Sequence, residues 1–255
     1  MILAVDIGNS NIVIGCFEGD EVLFIERLST NLQCTALEYL FSIKNILEIN
    51  NSDPAKIEGC IISSVVPSVT QIVRSALERL TSADVLTVGP GIKTGLKIML
   101  DNPAQLGSDR VADAVAGINL YPVPLIIIDM GTATTVSVID KDKNYLGGMI
   151  IPGLRVSLES LTKRTSQLPK IGLEPPKKII GTNTVECMKS GIIYYSAAGI
   201  DGVVQRIEKD IGESCTVVST GGLAAKIIPH CERDIIIDEQ LLLKGLMIIY
   251  KKNKK

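Results

Sequence analysis

The chain has 255 residues, 46 % of them hydrophobic, a mean hydropathy of +0.31 and a formal net charge of −2. That is apolar surface enough for one large core or two modest ones, and it excludes a disordered chain. Balanced charge without long blocks argues against electrostatic binding of nucleic acid, and with no run of about 18 apolar residues nothing is expected to span a membrane.

Residues 3–6 (LAVD) are an apolar strand-like run and residues 12–17 a second. Between them Gly8, Asn9, Ser10 and Asn11 read as a hairpin turn, because Gly and Asn tolerate the positive φ such turns need. Small side chains at the tip leave backbone N–H groups open to an anion. The reading is strand, phosphate-gripping turn, strand, with Asp6 placed to meet a cation carried by the phosphate. Residues 18–20 are a turn and 21–28 a third strand. Residues 35–47 carry Leu37, Leu40, Phe41, Ile43 and Leu47 at helical spacing. Residues 56–66 read as a strand buried on both faces. Pro67 opens a helix running to Leu80, where its missing N–H costs nothing. Residues 85–88 are a short strand.

The segment GPGIKTG at 89–95 has neither the Lys-Ser/Thr of a P-loop nor the glycine spacing of a dinucleotide fingerprint. K-T-G at 93–95 and S-x-x-K at 160–163 stand in the reverse order to the serine β-lactamase elements, with no S-D-N, and are read as chance. A short strand is expected at 96–99 and a turn at 101–103. Residues 106–120 then form a helix, with Ser108 as N-cap and Val111, Ala112, Val115 and Ile118 as its apolar stripe. Asp109 and Arg110 fall in its first turn. An acid there is explained equally by the helix dipole or by a ligand; a cation there is mildly unfavourable, which points to a ligand.

The sequence YPVP at 121–124 is the expected seam, dividing a lobe of residues 1–121 from one of residues 122–255. The second lobe reads as strands at 125–130, 134–139 and 145–151, then a helix through Leu154, Leu158 and Leu161. A surface loop at 167–178 precedes a helix from near Val185 to Ile211, with Gly199 to Gly202 a point where it could break. A strand at 215–219 ends in Thr220, Gly221 and Gly222, small residues against which a flat ring could lie. A short helix at 223–227, a strand at 235–237 and a last helix at 240–252 complete the chain. Both lobes open β-β-β-α-β-α, an α/β pattern with mixed sheets.

Two segments repeat. Residues 126–139 (IIIDMGTATTVSVI) match the opening hairpin at a constant offset of 123: Asp6 with Asp129, Gly8 with Gly131, Asn11 with Thr134 and Val13 with Val136. That offset suits a duplicated domain rather than a solenoid unit. Two hairpin turns are therefore expected to aim a carboxylate and hydroxyls or amides at one shared ligand.

Six cysteines, Cys16, Cys34, Cys60, Cys187, Cys215 and Cys231, show no C-x-x-C and no framework spacing. Most lie in apolar runs, where a free thiol acts as a small hydrophobe, so they are read as reduced and the protein as cytoplasmic. The opening MILAVD has no basic n-region and does not read as a signal peptide. The single histidine, His230, lies beside Pro229 in a short connection and is not expected to be catalytic.

Duplicated lobes with D-x-G turns resemble the actin, hexokinase and Hsp70 superfamily of ATP-handling folds. One branch matches end to end through D-I-G-N-S-N at 6–11, D-N-P at 101–103, G-S-D-R at 107–110, D-M-G-T-A-T-T at 129–135, G-G-M-I-I-P-G at 147–153, G-x-N-T at 181–184 and S-T-G-G at 219–222. This series resembles the type III pantothenate kinase family. The resemblance implies duplicated actin-like (ribonuclease H-like) lobes with mixed five-stranded sheets flanked by helices. It also implies a homodimer, with the site at the subunit interface, that moves the γ-phosphoryl of ATP to pantothenate in the first step of coenzyme A biosynthesis. By that resemblance Asp6, Ile7, Gly8, Asn9, Ser10, Asn11, Ile12, Val13 and Thr132 bind ATP. Asp6 holds magnesium, directly or through water, and Asp129 belongs to a monovalent-cation site for potassium or ammonium. Gly107, Ser108, Asp109 and Arg110 grip pantothenate, with Asp109 the base on its hydroxyl, and Thr184 reaches it from the neighbouring subunit.

Elementary chemistry agrees with these roles. Phosphoryl transfer needs alignment and charge neutralisation more than covalent help. A carboxylate within about 3 Å of an alcohol can take its proton, and a neighbouring guanidinium keeps that carboxylate ionised. Closure of two lobes would exclude water. Three positions depart from the family pattern: Ser10 in place of Thr, Ser108 in place of Ala, and Leu100 in place of an aromatic that packs on pantothenate. Leu100 keeps open another small-alcohol phosphotransferase or phosphatase of the superfamily. A non-catalytic regulator would have no need of Asp6, Asp109, Arg110 and Asp129 together.

Overall fold

Alternation along the first strand sets the first sheet. In the computed structural model, which describes residues 1–254, β1 (Ile2–Ile7), β2 (Asn11–Glu18), β3 (Glu21–Ser29), α1 (Ala36–Ile49), β4 (Gly59–Ser64), α2 (Pro67–Leu80) and β5 (Asp84–Thr87) follow one another. The sheet order is β3-β2-β1-β4-β5, with β1 antiparallel to β2 and parallel to β4. Leu3, Val5 and Ile7 share a core with Ile12, Ile14, Cys60 and Ile62, closed by Ile43 and Leu47 of α1 and Val69, Val73 and Leu77 of α2. α1 starts in a capping box: Thr35 accepts from the Glu38 N–H while the Glu38 carboxylate takes the Thr35 N–H. α2 starts on Pro67, as its sequence requires.

Next come β6 (Lys97–Ile98), α3 (Ser108–Leu120), β7 (Leu125–Met130), β8 (Ala133–Ile139), β9 (Asn144–Pro152), α4 (Leu154–Arg164), α5 (Thr184–Ile211), β10 (Thr216–Thr220), α6 (Ala224–Ile227), β11 (Ile236–Ile237) and α7 (Leu241–Asn253). The second sheet has the order β11-β10-β7-β8-β9-β6. Its first five strands, read from β9, repeat the order and sense of the first sheet. β6, parallel to β9, adds a sixth strand to the expected five. Ile126, Ile128 and Met130 of β7 pack with Val136, Val217 and α5 in the second core.

α5 runs unbroken for 28 residues, from Asn183, whose side chain caps the Glu186 N–H, to Gly212 at φ 79°. Glycine costs a helix about 1 kcal/mol. Ile193, Ala197, Ile200, Val204 and Ile207, all buried on one face, outweigh Gly199 and Gly202.

The chain divides into two units, and not at residue 121. One comprises Met1–Gly95, Asn102–Ala116 and Leu241–Lys255; the other comprises Leu96–Asp101 and Gly117–Gln240. The last helix thus belongs with the first sheet, not with the second lobe. The cause is steric. On the β1–β2–β4 face opposite α1 and α2, Gly15 and Gly59 leave room that α7 fills. A Cβ on Gly15 would sit 2.9 Å from Leu243 Cδ1, and one on Gly59 would sit 1.9 Å from Tyr250 Oη. Gly245 in turn lets α7 press on α3, where a Cβ would meet the Ala112 carbonyl oxygen at 1.9 Å.

Candidate functional site

In the first unit the sequence-predicted residues gather where β1 and β4 leave the sheet. Asp6, half-buried, pairs in register with Ser63, and Ile7 with Ser64. The turn that follows occupies residues 8–11, between the paired Ile7 and Ile12. It is closed by the Gly8 N–H donating to the Asn11 carbonyl at 3.0 Å. From beyond β3, Thr30 secures it twice, its hydroxyl donating to Gly8 O at 2.6 Å and its N–H to Ser10 O at 3.0 Å. Asn9, Ser10 and Asn11 are exposed at the tip, Ile12 is buried, and Val13 is half-buried opposite Asp6.

α3 begins beside this strand end. The Val111 N–H donates to Gly107 O at 3.0 Å, so Gly107 precedes the helix and Ser108 lies inside it. Ser108 is therefore not the N-cap expected from sequence. Its hydroxyl donates to Ser64 O at 2.9 Å, accepts from Ser64 N–H at 2.9 Å and lies 3.1 Å from Ser63 Oγ. Asp109 and Arg110 are half-buried in the first turn, with Asp109 Oδ1 accepting from the Arg110 N–H at 2.8 Å.

In the second unit Asp129 stands near the end of β7, half-buried, as Asp6 does on β1. The two hairpins differ in length, however. Asp6 pairs with Val13, seven positions on, whereas Asp129 pairs with Thr135, six on. The Gly131 N–H closes its turn on Ala133 O, one residue sooner than in the first hairpin. The offset of 123 therefore holds for Asp129 and Gly131 but fails beyond the turn. Thr134 is the counterpart of Ile12 and Thr135 of Val13, not Asn11 and its neighbour as the sequence offset suggested. Burial has the same phase: Ile12 and Thr134 are buried, Val13 and Thr135 half-buried. Thr132 is exposed at the tip.

Two glycines hold that turn from behind. Gly153 backs onto it so closely that a Cβ would lie 2.1 Å from Thr132 O. Gly221, at φ +87°, would place a Cβ 2.4 Å from Asp129 Oδ1 and 2.7 Å from the Met130 backbone. Leu100 lies near Gly147, 3.7 Å from where its Cβ would stand. Thr184 is exposed at the first position of α5. His230 stacks edge-on against Tyr194, with ring centroids 5.3 Å apart.

Sequence reasoning passed over Ser63, Ser64 and Thr30; it named Gly221 as a surface for a flat ring and Gly153 only within a motif, not as the supports of the second turn. The pair Ser63-Ser64 carried a signal: two hydroxyls ending an otherwise apolar strand.

The type III pantothenate kinase family model matches residues 2–206. A type III pantothenate kinase of Exiguobacterium is 44 % identical over 255 residues, covering all of both chains. The chain belongs to the type III pantothenate kinase family. Its fold is that of actin-like ATPases: component A of (R)-2-hydroxyglutaryl-CoA dehydratase from Acidaminococcus fermentans superposes with a TM-score of 0.59 at 14 % identity, over 98 % of each chain. A hexokinase of the ROK type from Thermus thermophilus does so at 0.51 and 14 %, over 99 % of each.

Proposed function

We infer that the chain is an ATP-dependent pantothenate kinase that forms 4′-phosphopantothenate. The observation that carries the reading is the docking of the G-S-D-R helix start onto the end of β4, the strand that flanks Asp6. Asp6 and Ser63 share the sheet face on which α3 starts, so the phosphate turn and the acid at 109 belong to one neighbourhood.

On this reading the backbone of residues 8–11 receives phosphate oxygens, pinned by Thr30 so that no reorganisation is needed on binding. Asp109 takes the proton of the acceptor hydroxyl. Its carboxylate is oriented beforehand by the Arg110 N–H, and Arg110 offers a planar donor fork to the pantothenate carboxylate. Among the described residues no group of three or more His, Cys, Asp or Glu could hold a metal. That suits magnesium, which binds through one or two carboxylates with the nucleotide phosphates supplying the rest, and Asp6 is the carboxylate so placed. Magnesium, when bound, neutralises charge on the phosphates being cleaved. Asp129, with Thr132 beside it on the turn, holds potassium or ammonium, and residues 220–222 lie on the adenosine side. Thr184 contacts pantothenate bound by a partner subunit. A homodimer is supported by large apolar side chains left exposed: Ile150 of β9, Ile180, and Tyr195 of α5, at 72 %, 75 % and 83 %.

The test is direct. Purified protein with ATP, magnesium, potassium and pantothenate should yield 4′-phosphopantothenate by mass spectrometry, and a panel of other small alcohols should not be phosphorylated. Asp109→Asn should lower kcat at least about a hundredfold. Normal turnover by that variant would overturn the base assignment, and equal rates in sodium-only buffer would remove the role of Asp129.

A further inference from the structure

The turn at residues 8–11 closes on itself through the Gly8 N–H and the Asn11 carbonyl, and two of its other carbonyls are held from outside. Thr30, half-buried just past the end of β3, donates from its hydroxyl to Gly8 O at 2.6 Å and from its N–H to Ser10 O at 3.0 Å. In a planar trans peptide the C=O and the N–H that follows it point in opposite directions. Holding Gly8 O and Ser10 O therefore turns the N–H groups of Asn9 and Asn11 away from Thr30 and fixes their directions. Thr30 is held in turn. The next residue, Asn31, is gripped at both backbone groups by one side chain: its N–H donates to Tyr39 Oη at 3.0 Å, and Tyr39 Oη donates to Asn31 O at 3.0 Å. Tyr39 is 2 % exposed and packs in the core of the first sheet, on a helix whose start is set by the capping box of Thr35 and Glu38. Asn31 Oδ1 also accepts from the Gln33 N–H at 2.9 Å. A run of bonds thus leads from the buried side of α1 through Asn31 and Thr30 to the turn.

We propose that Thr30 is a positioning residue for ATP: backed by Tyr39, it fixes the peptide orientations of the turn and so sets the affinity for nucleotide. This rests on reading residues 8–11 as the phosphate turn. Gly8, Asn9, Ser10 and Asn11 are small or turn-forming residues with access to several backbone conformations. Left loose, the segment would have to be ordered by the ligand, and ordering of backbone subtracts from affinity. Held by Thr30, its N–H groups stand in place before phosphate arrives. The hydroxyl matters more than the N–H here, because any residue at position 30 supplies the N–H, whereas only Thr or Ser supplies a short donor to Gly8 O.

Thr30→Val keeps the shape without the hydroxyl, Thr30→Ser keeps the hydroxyl, and Tyr39→Phe keeps the buried ring but frees Asn31. These, the double Thr30→Val/Tyr39→Phe variant and Ser10→Asp are to be compared by titration calorimetry with a non-hydrolysable ATP analogue and magnesium, and by steady-state kinetics, with circular dichroism to verify folding. Thr30→Val should raise Kd for the analogue and KM for ATP about three- to tenfold, the reach of one net hydrogen bond. KM for pantothenate should stay within about twofold of the parent, a split that general loosening of the fold would not give. Thr30→Ser should bring Kd back to within about twofold. Tyr39→Phe should weaken the analogue in the same direction, and the double variant should lose less than the two single losses combined, because both act through one run of bonds. Parent-like analogue binding by Thr30→Val or by Tyr39→Phe would overturn the proposal. So would a Thr30→Ser variant no better than Thr30→Val, or losses that simply add. Ser10→Asp tests the reading beneath: a carboxylate at the exposed tip should repel phosphate and raise Kd about tenfold or more. If Ser10→Asp binds the analogue normally, the phosphate turn itself fails, whatever Thr30→Val does. Weakened binding by Ser10→Asp beside a normal Thr30→Val removes the role of Thr30 alone.

Discussion

Gly221→Ala should destabilise the protein through two separable terms. The first is conformational. Gly221 has φ +87°, and placing an L-residue in that region costs about 1–2 kcal/mol. The second is steric. The new Cβ would fall 2.7 Å from the backbone N and C of Met130 and 2.4 Å from Asp129 Oδ1. The Met130 backbone is paired in β7 and cannot swing aside, so overpacking adds about 1–3 kcal/mol. The total of about 2–5 kcal/mol corresponds to a fall in Tm of roughly 5–15 °C for a chain of this size. Gly212→Ala isolates the first term, because Gly212 has φ +79° and nothing lies within 4 Å of its Cβ position. Thermal unfolding followed by circular dichroism should show the larger drop for Gly221→Ala. On the proposed cation role of Asp129, the potassium concentration for half-maximal activity should rise in that variant alone, because the displaced atom is an oxygen of that carboxylate. If the two variants melt together, the close approach of Gly221 to the end of β7 carries no energetic weight and the steric reasoning is wrong.

Two further outcomes are expected. Burial pushes the Cys60 thiol up from an ordinary 9.0 to about 12, against a weaker opposing hydrogen bond from Thr81. The folded chain then keeps a proton that the unfolded chain sheds, so stability is intact below pH 9 and falls by about 1.4 kcal/mol per unit as pH rises from there towards 12. Urea unfolding at pH 8, 9 and 10 should show a shallower alkaline decline in Cys60→Ala, and parallel slopes would exclude this origin. On the proposed homodimer, Ile150→Asp should lower the mass in light scattering at micromolar concentration to that of a monomer, since the side chain is 72 % exposed; an unchanged dimeric mass would place the interface elsewhere.

The first hairpin was legible because its turn chemistry and flanking apolar runs agree on one register. The second was legible only to its glycine. DMGTATT offers threonines at 132, 134 and 135, and a one-residue shorter turn changes no residue type that a pattern would notice; only the strand register and the alternation of burial along β8 reveal it. The two residues of β6 are too few for any period to show. Ser108 misled for a chemical reason: serine at a helix start reads as a cap, and nothing local says that its hydroxyl is spent on a strand 44 residues away. The carboxylates Asp6, Asp109 and Asp129 stand where their elements were expected to put them, at two strand ends and a helix's first turn. The allegiance of α7 was illegible because an amphipathic helix does not announce which sheet it covers. The deciding marks are Gly15 and Gly59, more than 190 residues earlier.

That allegiance has a bearing on biosynthesis. A ribosome that has emitted everything up to Gln240 has released every strand of both sheets, yet one side of the opening sheet still lacks its final helical cover. Gly15 and Gly59 must wait for Leu243 and Tyr250 before they find what they were shaped to receive. Loss of α7 would therefore wound the first sheet, far from it in sequence.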